Sequence, residues 1–271
     1  MSGNPLAGKV EVLGQTLTNI VYCLPGETTV LKAPGLWLDG KCEDRRTQEG
    51  PSLEKEEKIY NIIGGHPRIV KCLGLVDVVP GVIGLKLERA TIGCVRSYIL
   101  DHRDDPPPIG ERLRMALEFA EGMAYLHKKD VIWHDASTRN ALFFDDFHIK
   151  LCDFGASFVK GRLDFEADQG YDLLSELPLR GREEDEISVE AKELFALGSA
   201  IFEITEWKLP FDPIDDFEII NRMVSEDKLT PIPEDNPARD IIDGCWQERY
   251  GRAESIVEDL RAMAFVGACR P

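Results

Sequence analysis

Three polar side chains in the middle of the chain have the types and order needed for phosphoryl transfer. Asp135, Asn140 and Asp153 all lie within the stretch WHDASTRNALFFDDFHIKLCDFGA. One carboxylate can position and deprotonate an acceptor hydroxyl, while an amide oxygen and a second carboxylate can hold the Mg²⁺ ions that neutralise a triphosphate. The pattern therefore predicts a phosphoryl-transfer site with Asp135 as the base and with Asn140 and Asp153 as metal ligands.

The sequence pattern around these residues changes near Glu88. From residue 9 to about residue 85, short β-rich segments are separated by Gly and Pro. One helix interrupts them, with its start signal at Ser52 and its stop signal at Gly64 and Gly65. Long amphipathic helical patterns follow Glu88. We therefore predict an α+β protein with two lobes, a small antiparallel β lobe with one main helix and a larger, mainly helical lobe.

Composition limits the classes of partner. The chain has 271 residues, 43% of them hydrophobic, and a formal net charge of -17. Such a charge argues against binding to nucleic acid or to an anionic membrane surface, and it would suit a basic protein substrate. Solubility alone is the simpler explanation of this charge.

The cysteines and the N-terminal residues bear on the cellular compartment. Seven scattered cysteines without a close C-x-x-C pair are typical of a reducing compartment. The first residues lack the apolar core of a signal peptide, and no run approaches the roughly 18 apolar residues of a membrane span. These features predict an intracellular, cytoplasmic protein, and they do not separate cytosol from nucleus.

The stretch that contains Asp135 and Asp153 resembles the catalytic loop and D-F-G element of eukaryotic protein kinases, with Trp133 and His134 where that family has His and Arg. The resemblance runs from about Val10 to Leu260. It implies one protein-kinase-like domain, divided into an N-lobe at about residues 9–88, a hinge at residues 89–93 and a C-lobe at residues 94–271 of the domain 1–271.

The resemblance also implies an ATP-phosphate site at the N-lobe end of the cleft. Gly14 matches the first glycine of the family's glycine-rich turn, while Thr16 and Asn19 occupy the second and third glycine positions. Lys32 matches the lysine that holds the α- and β-phosphates and pairs with a helix glutamate.

Two glutamates compete for the partner of Lys32. Counting back from His66 by the family interval gives Glu57, whereas helix periodicity places Glu56 on one face with Ile59, Tyr60 and Ile63. We choose Glu56.

The resemblance also implies which positions would bind adenine, and these are aliphatic side chains or backbone groups of the hinge. Their expected places are Val21 and Val30 above the ring, Leu142 below it, Leu87 as gatekeeper, and the backbone from Glu88 to Ala90 along its edge.

The catalytic loop departs from the family pattern in informative ways. Ser137 stands where many serine/threonine kinases have a lysine, and Arg139 matches the D-L-A-A-R-N form of some tyrosine kinases, in which the arginine acts near the phosphate. This form indicates relation to the tyrosine-kinase and tyrosine-kinase-like branch without fixing the acceptor residue. Trp133 is large enough to stack on Phe154 and keep a column of side chains between the lobes.

The segment from Asp153 to about Glu186, the activation segment of the resemblance, lacks the family's closing A-P-E. The acid that pairs with the later arginine, Arg252, could be any of Glu176, Glu183 and Glu184. Tyr171 and Ser175 are candidate phosphorylation sites. Further on, Glu193 replaces the aspartate that caps the catalytic-loop backbone, and Cys245 and Trp246 are expected in the core.

Three functions fit the sequence. An ATP- and Mg²⁺-dependent protein kinase is favoured, because the losses fall on supporting elements and the base and metal ligands remain. A pseudokinase that binds nucleotide or acts as a scaffold is the alternative, suggested by the altered glycine turn, Trp133 and His134. A kinase-like enzyme for a small molecule ranks last.

His134 generates a testable prediction about activation. In many family members an arginine at this position binds a phosphorylated activation segment, and a mostly neutral His substitutes poorly for it. We expect transfer activity to survive phosphatase treatment, measured as the initial rate before and after treatment. Loss of all turnover would contradict the prediction.

Overall fold

The computed structural model describes residues 10–15, 19–24, 26–38, 41–44, 52–79, 82–162 and 172–267. Two positions named above, Thr16 of the glycine-rich turn and the candidate phosphorylation site Tyr171, lie outside the described residues. The described parts form an N-terminal lobe built on a β-sheet and a C-terminal lobe built on helices, which confirms the predicted α+β class.

The N-terminal lobe is a five-stranded antiparallel sheet in the order β1-β2-β3-β7-β6. All five strands fall on predicted β-rich segments. Their bounds are β1 Glu11–Gln15, β2 Ile20–Cys23, β3 Thr29–Ala33, β6 Cys72–Val79 and β7 Val82–Glu88. The sequence analysis missed a separate hairpin between β3 and the first helix, formed by β4 Gly35–Leu38 and β5 Lys41–Asp44.

The helix described in this lobe, α1 Leu53–Ile63, has the predicted ends. The Ser52 hydroxyl accepts the Lys55 N–H at 3.0 Å, and the Gly64 N–H donates to the Tyr60 carbonyl at 2.9 Å. These caps satisfy backbone groups that the helix itself leaves unpaired. Glu56, Ile59, Tyr60 and Ile63 form the buried face of α1, so the one acidic residue among them is directed into the protein.

The chain crosses between the lobes after β7. The Arg89 N–H donates to the Thr28 carbonyl at 2.9 Å, which holds the start of the crossing against the N-lobe. The short strand β8 Gly93–Cys94 then begins with Gly93 at φ 123°, a backbone angle that favours glycine. Gly93, the last residue of the expected hinge, therefore adopts a conformation that other residues would rarely take.

The C-terminal lobe surrounds α4, whose residues from Glu193 to Thr205 are all buried. No described helix is long and apolar enough to cross a bilayer. The helices of this lobe are α2 Val95–Asp101, α3 Ile109–Lys128, α4 Val189–Glu206, α5 Phe217–Ser225, α6 Arg239–Trp246 and α7 Ala253–Gly267. Cys245 and Trp246 are buried, as expected.

Short strands flank the predicted catalytic and metal-binding residues of this lobe. A three-stranded sheet has the order β11-β10-β8, and a two-stranded ladder joins β12 to β9. The remaining bounds are β9 Val131–Ile132, β10 Ala141–Phe143, β11 Ile149–Leu151 and β12 Phe158–Val159. Asp135 and Asn140 lie between β9 and β10, and Asp153 follows β11, so these two small sheets together position the three residues.

Close packing of α4 on α6 gives a stability prediction. A Cβ on Gly198 would overlap the Cβ of Cys245, whereas a Cβ on Gly110, also helical, would meet nothing within 4 Å. We expect Gly198→Ala to lower the free energy of unfolding by about 1–3 kcal/mol, because overpacking a filled core forces side chains and backbone to shift. Gly110→Ala, the control, should be neutral or slightly stabilising. Urea unfolding measures both, and equal values for the two variants would refute the packing argument.

Candidate active site

Lys32 lies at the junction of the two lobes, held between two carboxylates. Its Nζ lies 2.7 Å from Glu56 Oε2 and 2.8 Å from Asp153 Oδ1. Glu57 faces elsewhere and accepts the Leu75 N–H at 3.0 Å, which ties α1 to β6. The structure thus brings Glu56, rather than Glu57, to Lys32, because the buried face of α1 includes only the former.

The charge state of this cluster follows from its geometry. Burial opposes the charge of the ammonium, but Asp153 and Glu56 outweigh it and raise the pKa of Lys32 above its ordinary value. Burial likewise opposes ionisation of Asp153, yet the adjacent Lys32 keeps the pKa of that carboxyl below its usual range. Asp153 is therefore a carboxylate, the form that a metal ligand requires.

A column of aromatic side chains joins α1 to the catalytic loop through Phe154. Phe154 packs edge-on against Tyr60, with ring centroids 4.9 Å apart, and lies 5.9 Å from Trp133 at a tilted angle. Glu56 Oε1 accepts the Phe154 N–H at 3.3 Å, and the Trp133 indole N–H donates to the Asp153 carbonyl at 3.0 Å. Trp133 therefore fixes the backbone at Asp153 as well as filling the core.

Asp135, the predicted base, is held by its own loop. Its Oδ2 accepts from Asn140 Nδ2 at 2.8 Å, and its Oδ1 lies 3.3 Å from a guanidinium nitrogen of Arg139. Burial raises the pKa of Asp135, and the negative charges of Asp153 and Asp172 add to this effect, against the opposing influence of Arg139 and Asn140. A carboxylate with a raised pKa is a better proton acceptor.

Asn140 and Asp153 are adjacent because β10 pairs with β11. The Cys152 N–H donates to the Asn140 carbonyl at 2.8 Å, so Asp153 follows directly beside Asn140. Since its Nδ2 donates to Asp135, the Asn140 side-chain oxygen is left to act as a ligand. The Cys152 thiol also lies on the Asn140 carbonyl, at 3.3 Å, and burial raises the pKa of this thiol well above its usual value.

The substituted residue Glu193 reaches the catalytic-loop backbone. From the second turn of α4 its Oε1 accepts the His134 N–H at 2.9 Å, and its Oε2 lies 2.7 Å from His127 Nε2. His134 has φ 64°, so a backbone in the left-handed region is stabilised here by a buried side chain. The extra methylene relative to aspartate is accommodated within this arrangement.

The positions expected to surround adenine lie in one hydrophobic cluster. Val30 and Leu87 are buried and face each other across β3 and β7, while Val21 and Leu142 are partly buried against the same cluster. Hinge residues are only partly buried at Glu88 and Ala90. The Glu88 carboxylate accepts from Lys150 Nζ at 2.8 Å, and the Glu88 N–H donates to the Lys71 carbonyl at 3.0 Å, so the Glu88 carbonyl is the group left to contact a ligand. Gly14 lies in β1 opposite Val21.

The expected pairing of Arg252 with an activation-segment acid is wrong. Arg252 is largely exposed and donates to Ser255 at 3.1 Å. Arginines of the activation segment instead pair with acids in the loops that follow α5 and α6, so the charges are reversed. The contacts are Arg180 with Asp227 at 3.0 Å and with Glu248 at 3.0 Å, and Arg182 with Glu248 at 2.7 Å.

The three acids that were candidates for pairing with Arg252 have other surroundings. Glu183 forms a capping box with Glu186, and Glu184 pairs with Lys192 at 3.0 Å. Burial raises the pKa of Glu176, with help from nearby Glu184. Ser175, considered above as a phosphorylation site, is buried and thus shielded in this conformation.

Two buried charges near the site were missed by the sequence analysis. Arg96 of α2 forms a fork with Glu203 of α4, at 3.2 and 2.6 Å, and also contacts Asp172. A glutamate inside the otherwise apolar run FALGSAIFEI was a usable signal, because a charge there must find a partner. Nothing in the local spacing pointed to Arg96.

Comparison with known proteins agrees with this geometry. Residues 41–258 match the family described as protein tyrosine and serine/threonine kinase. The dual specificity protein kinase shkA of Dictyostelium discoideum is 30% identical over 221 residues, covering 76% of this chain and 40% of the relative. A serine/threonine/tyrosine-protein kinase of Arabidopsis thaliana is 26% identical, covering 68% and 47%, and the insulin-like growth factor 1 receptor of Bos taurus is 26% identical, covering 72% and 32%. The chain thus spans less than half the length of each of these relatives.

The pair between His127 and Glu193 predicts a pH dependence of stability. Burial opposes the imidazolium, but the hydrogen bond and charge of Glu193 outweigh it and raise the pKa of His127. The stabilisation is then complete below the unfolded pKa of about 6.5 and is lost as pH rises through the higher folded value. We expect the free energy of unfolding to fall over this window, and the fall to be smaller in His127→Gln. The exposed His102→Gln variant is the control, and a fall as large in His127→Gln as in the unmodified chain would contradict the assignment.

Proposed function

The chain belongs to the protein tyrosine and serine/threonine kinase family, and on this basis we propose that it is an ATP- and Mg²⁺-dependent protein kinase. The observation that carries the proposal is the Lys32 ammonium bridging Glu56 and Asp153 across the two lobes. In the proposed reaction a protein hydroxyl attacks the γ-phosphorus of ATP, the bond from that phosphorus to the bridging oxygen breaks, and ADP leaves. Whether the acceptor is Ser, Thr or Tyr stays open.

Asp135 is proposed as the proton acceptor for the substrate hydroxyl. Its bond to Asn140 fixes the carboxylate, and its raised pKa makes it a better proton acceptor. Arg139 lies beside it and is the proposed cationic group near the transferred phosphoryl. Lys32 would hold the α- and β-phosphates, with Glu56 fixing the direction of its ammonium.

Mg²⁺ fits the donor set present in the cleft. Asn140 and Asp153 supply the amide and carboxylate oxygens that this hard cation prefers. Within the described residues there is no cluster of three or more His, Cys, Asp or Glu side chains for a metal, so phosphate oxygens and water would have to complete the coordination. When bound, the cation would neutralise charge on the triphosphate.

An adenine ring is proposed to occupy the space between the lobes. Val21 and Val30 would cover one face, Leu142 the other, and Leu87 would close the back. The backbone of Glu88 and Ala90 would bond the ring edge, and Gly14 would approach the phosphates. The proposal includes the predicted division of residues 1–271 into an N-lobe, a hinge and a C-lobe.

The alternative of a pseudokinase finds no favouring observation. Trp133 and His134, which suggested it, are integrated through Asp153 and Glu193, and the matched relatives are named as kinases or as a receptor. The negative charge of -17 supports a basic protein substrate as a working hypothesis. Reduced cysteines at the described positions support an intracellular compartment.

Radiolabel transfer from ATP to generic protein substrates tests the proposed activity. We expect Asp135→Asn to lower the rate by about 10²- to 10⁴-fold, because the proton acceptor is lost. Lys32→Met should also remove most transfer, while the exposed Lys58→Met, the control, should leave the rate unchanged. Phosphoamino-acid analysis of the product then identifies the acceptor residue.

Nucleotide binding separates a kinase from a scaffold. A thermal-shift assay with ATP, with and without Mg²⁺, should show stabilisation of about 2.7 kcal/mol when ATP is at 100 times its dissociation constant. ATP binding with no measurable transfer would favour the pseudokinase. Equal label in the unmodified chain, Asp135→Asn and Lys32→Met would assign the activity to a contaminant and overturn the proposal.

A further inference from the structure

Asp172 makes an unusual set of contacts for an activation-segment residue. Its Oδ2 lies 2.5 Å from a guanidinium nitrogen of Arg96 and 3.3 Å from Arg139 Nε, and it accepts the Ser137 hydroxyl at 3.3 Å. Ser137 and Arg139 belong to the catalytic loop and follow Asp135 closely along the chain. A carboxylate of the activation segment is therefore bonded directly to the catalytic loop.

Arg96 is itself rigidly placed. It is 8% exposed, its fork holds the buried Glu203, and its Nε also donates to the Thr138 hydroxyl at 3.1 Å. Thr138 bonds to Glu203 in turn. The guanidinium thus joins α2 to the catalytic loop, α4 and the activation segment, and two of its three partners, Thr138 and Glu203, are buried.

The arginines beside Asp172 keep its carboxyl ionised. Burial opposes the charge on Asp172, but Arg96 and then Arg139 outweigh it and keep the pKa of this carboxyl below its usual range. Glu203 balances Arg96 from the opposite side. Losing the charge of Asp172 would leave Arg96 with one carboxylate and Arg139 with Asp135 alone, and a buried charge that loses a partner is costly.

Asp172 also sets the path of the chain that follows it. Its Oδ1 accepts the Leu174 N–H and begins the 3-10 turn Leu173–Ser175, which packs on α4 and α5. Ser175 and Leu177 are then buried. The contacts of Asp172 therefore position the residues from Asp172 to Leu177 against the C-lobe.

We propose that Asp172, with Arg96 as its partner, is a positioning residue that holds the activation segment against the catalytic loop through a permanent carboxylate. This inference rests on the proposed kinase function and specifies its regulation. In many members of the family a phosphate paired with the arginine before the base has this role; here His134 occupies that place, and the anchoring charge is encoded in the chain. The partners of Asp172 are Arg96 of α2 and Arg139 of the catalytic loop, neither of which is the residue before the base.

Asp172→Asn tests the proposal, because it keeps the size of the side chain and removes its charge. We expect kcat/KM for transfer to fall by about 10- to 100-fold, the usual effect of losing charge-assisted hydrogen bonds. Asp172→Glu keeps the charge and should recover much of the loss. The exposed Asp104→Asn removes the same charge at a distance and should match the unmodified chain.

A pH profile separates positioning of the base from a merely structural role. Asp135 faces Arg139, Asn140, Asp153 and Asp172, and the last two raise its pKa. In Asp172→Asn the acidic limb of the kcat/KM profile should therefore move to lower pH. It should stay in place in Asp104→Asn and in Asp172→Glu.

Limited proteolysis tests the anchoring without relying on activity. Cleavage within residues 153–186 should be faster in Asp172→Asn than in Asp172→Glu or the unmodified chain. If the unmodified chain transfers no phosphate but this difference appears, the proposed function fails and the anchor stands. Equal cleavage rates, or transfer that is unchanged or faster in Asp172→Asn, would overturn the proposal; faster transfer would mean that Asp172 obstructs the substrate.

Discussion

The ion pair of Lys32 with Glu56 and Asp153 is the interaction on which the rest of the site depends. An ammonium that is 6% exposed has little water to stabilise it, so it requires both carboxylates. One carboxylate comes from α1 of the N-lobe and the other from the segment after β11, so the pair fixes the separation of the lobes. Removing one partner of such a buried pair typically costs about 3–5 kcal/mol, whereas the intact pair contributes less to stability than to geometry.

Backbone contacts pass this geometry on to the catalytic loop. Glu56 bonds the Phe154 N–H as well as Lys32, Trp133 bonds the Asp153 carbonyl, and Glu193 bonds the His134 N–H. The substitutions at Trp133 and His134 therefore change side-chain chemistry while the loop stays anchored from both lobes. The Trp133 indole supplies the hydrogen-bond donor to Asp153, and the Glu193 side chain is long enough to reach the His134 N–H.

The sequence predicted those parts that follow from periodicity or from groups in fixed order. The five N-lobe strands, the ends of α1 and the burial of Glu56 all come from local patterns, since a buried face is recognisable from its apolar neighbours. The hairpin at Gly35–Leu38 and Lys41–Asp44 was missed because its pattern is short. The expected partner of Arg252 was wrong because spacing identifies which side chains are charged, whereas the fold decides which opposite charge lies within reach.

In the contact between Arg182 and Glu248, the activation segment supplies the arginine and the loop after α6 supplies the acid. The residues allowed in one of these two distant stretches therefore depend on the charge in the other. Consider a hybrid protein whose activation segment comes from a relative and ends in an acidic residue. That acid would lie against Glu248, and two carboxylates at this distance repel each other. Exchange would succeed only if the loop after α6 were transplanted as well. Changes at either stretch are thus restricted by the state of the other, and the two should diverge together among descendants of this sequence.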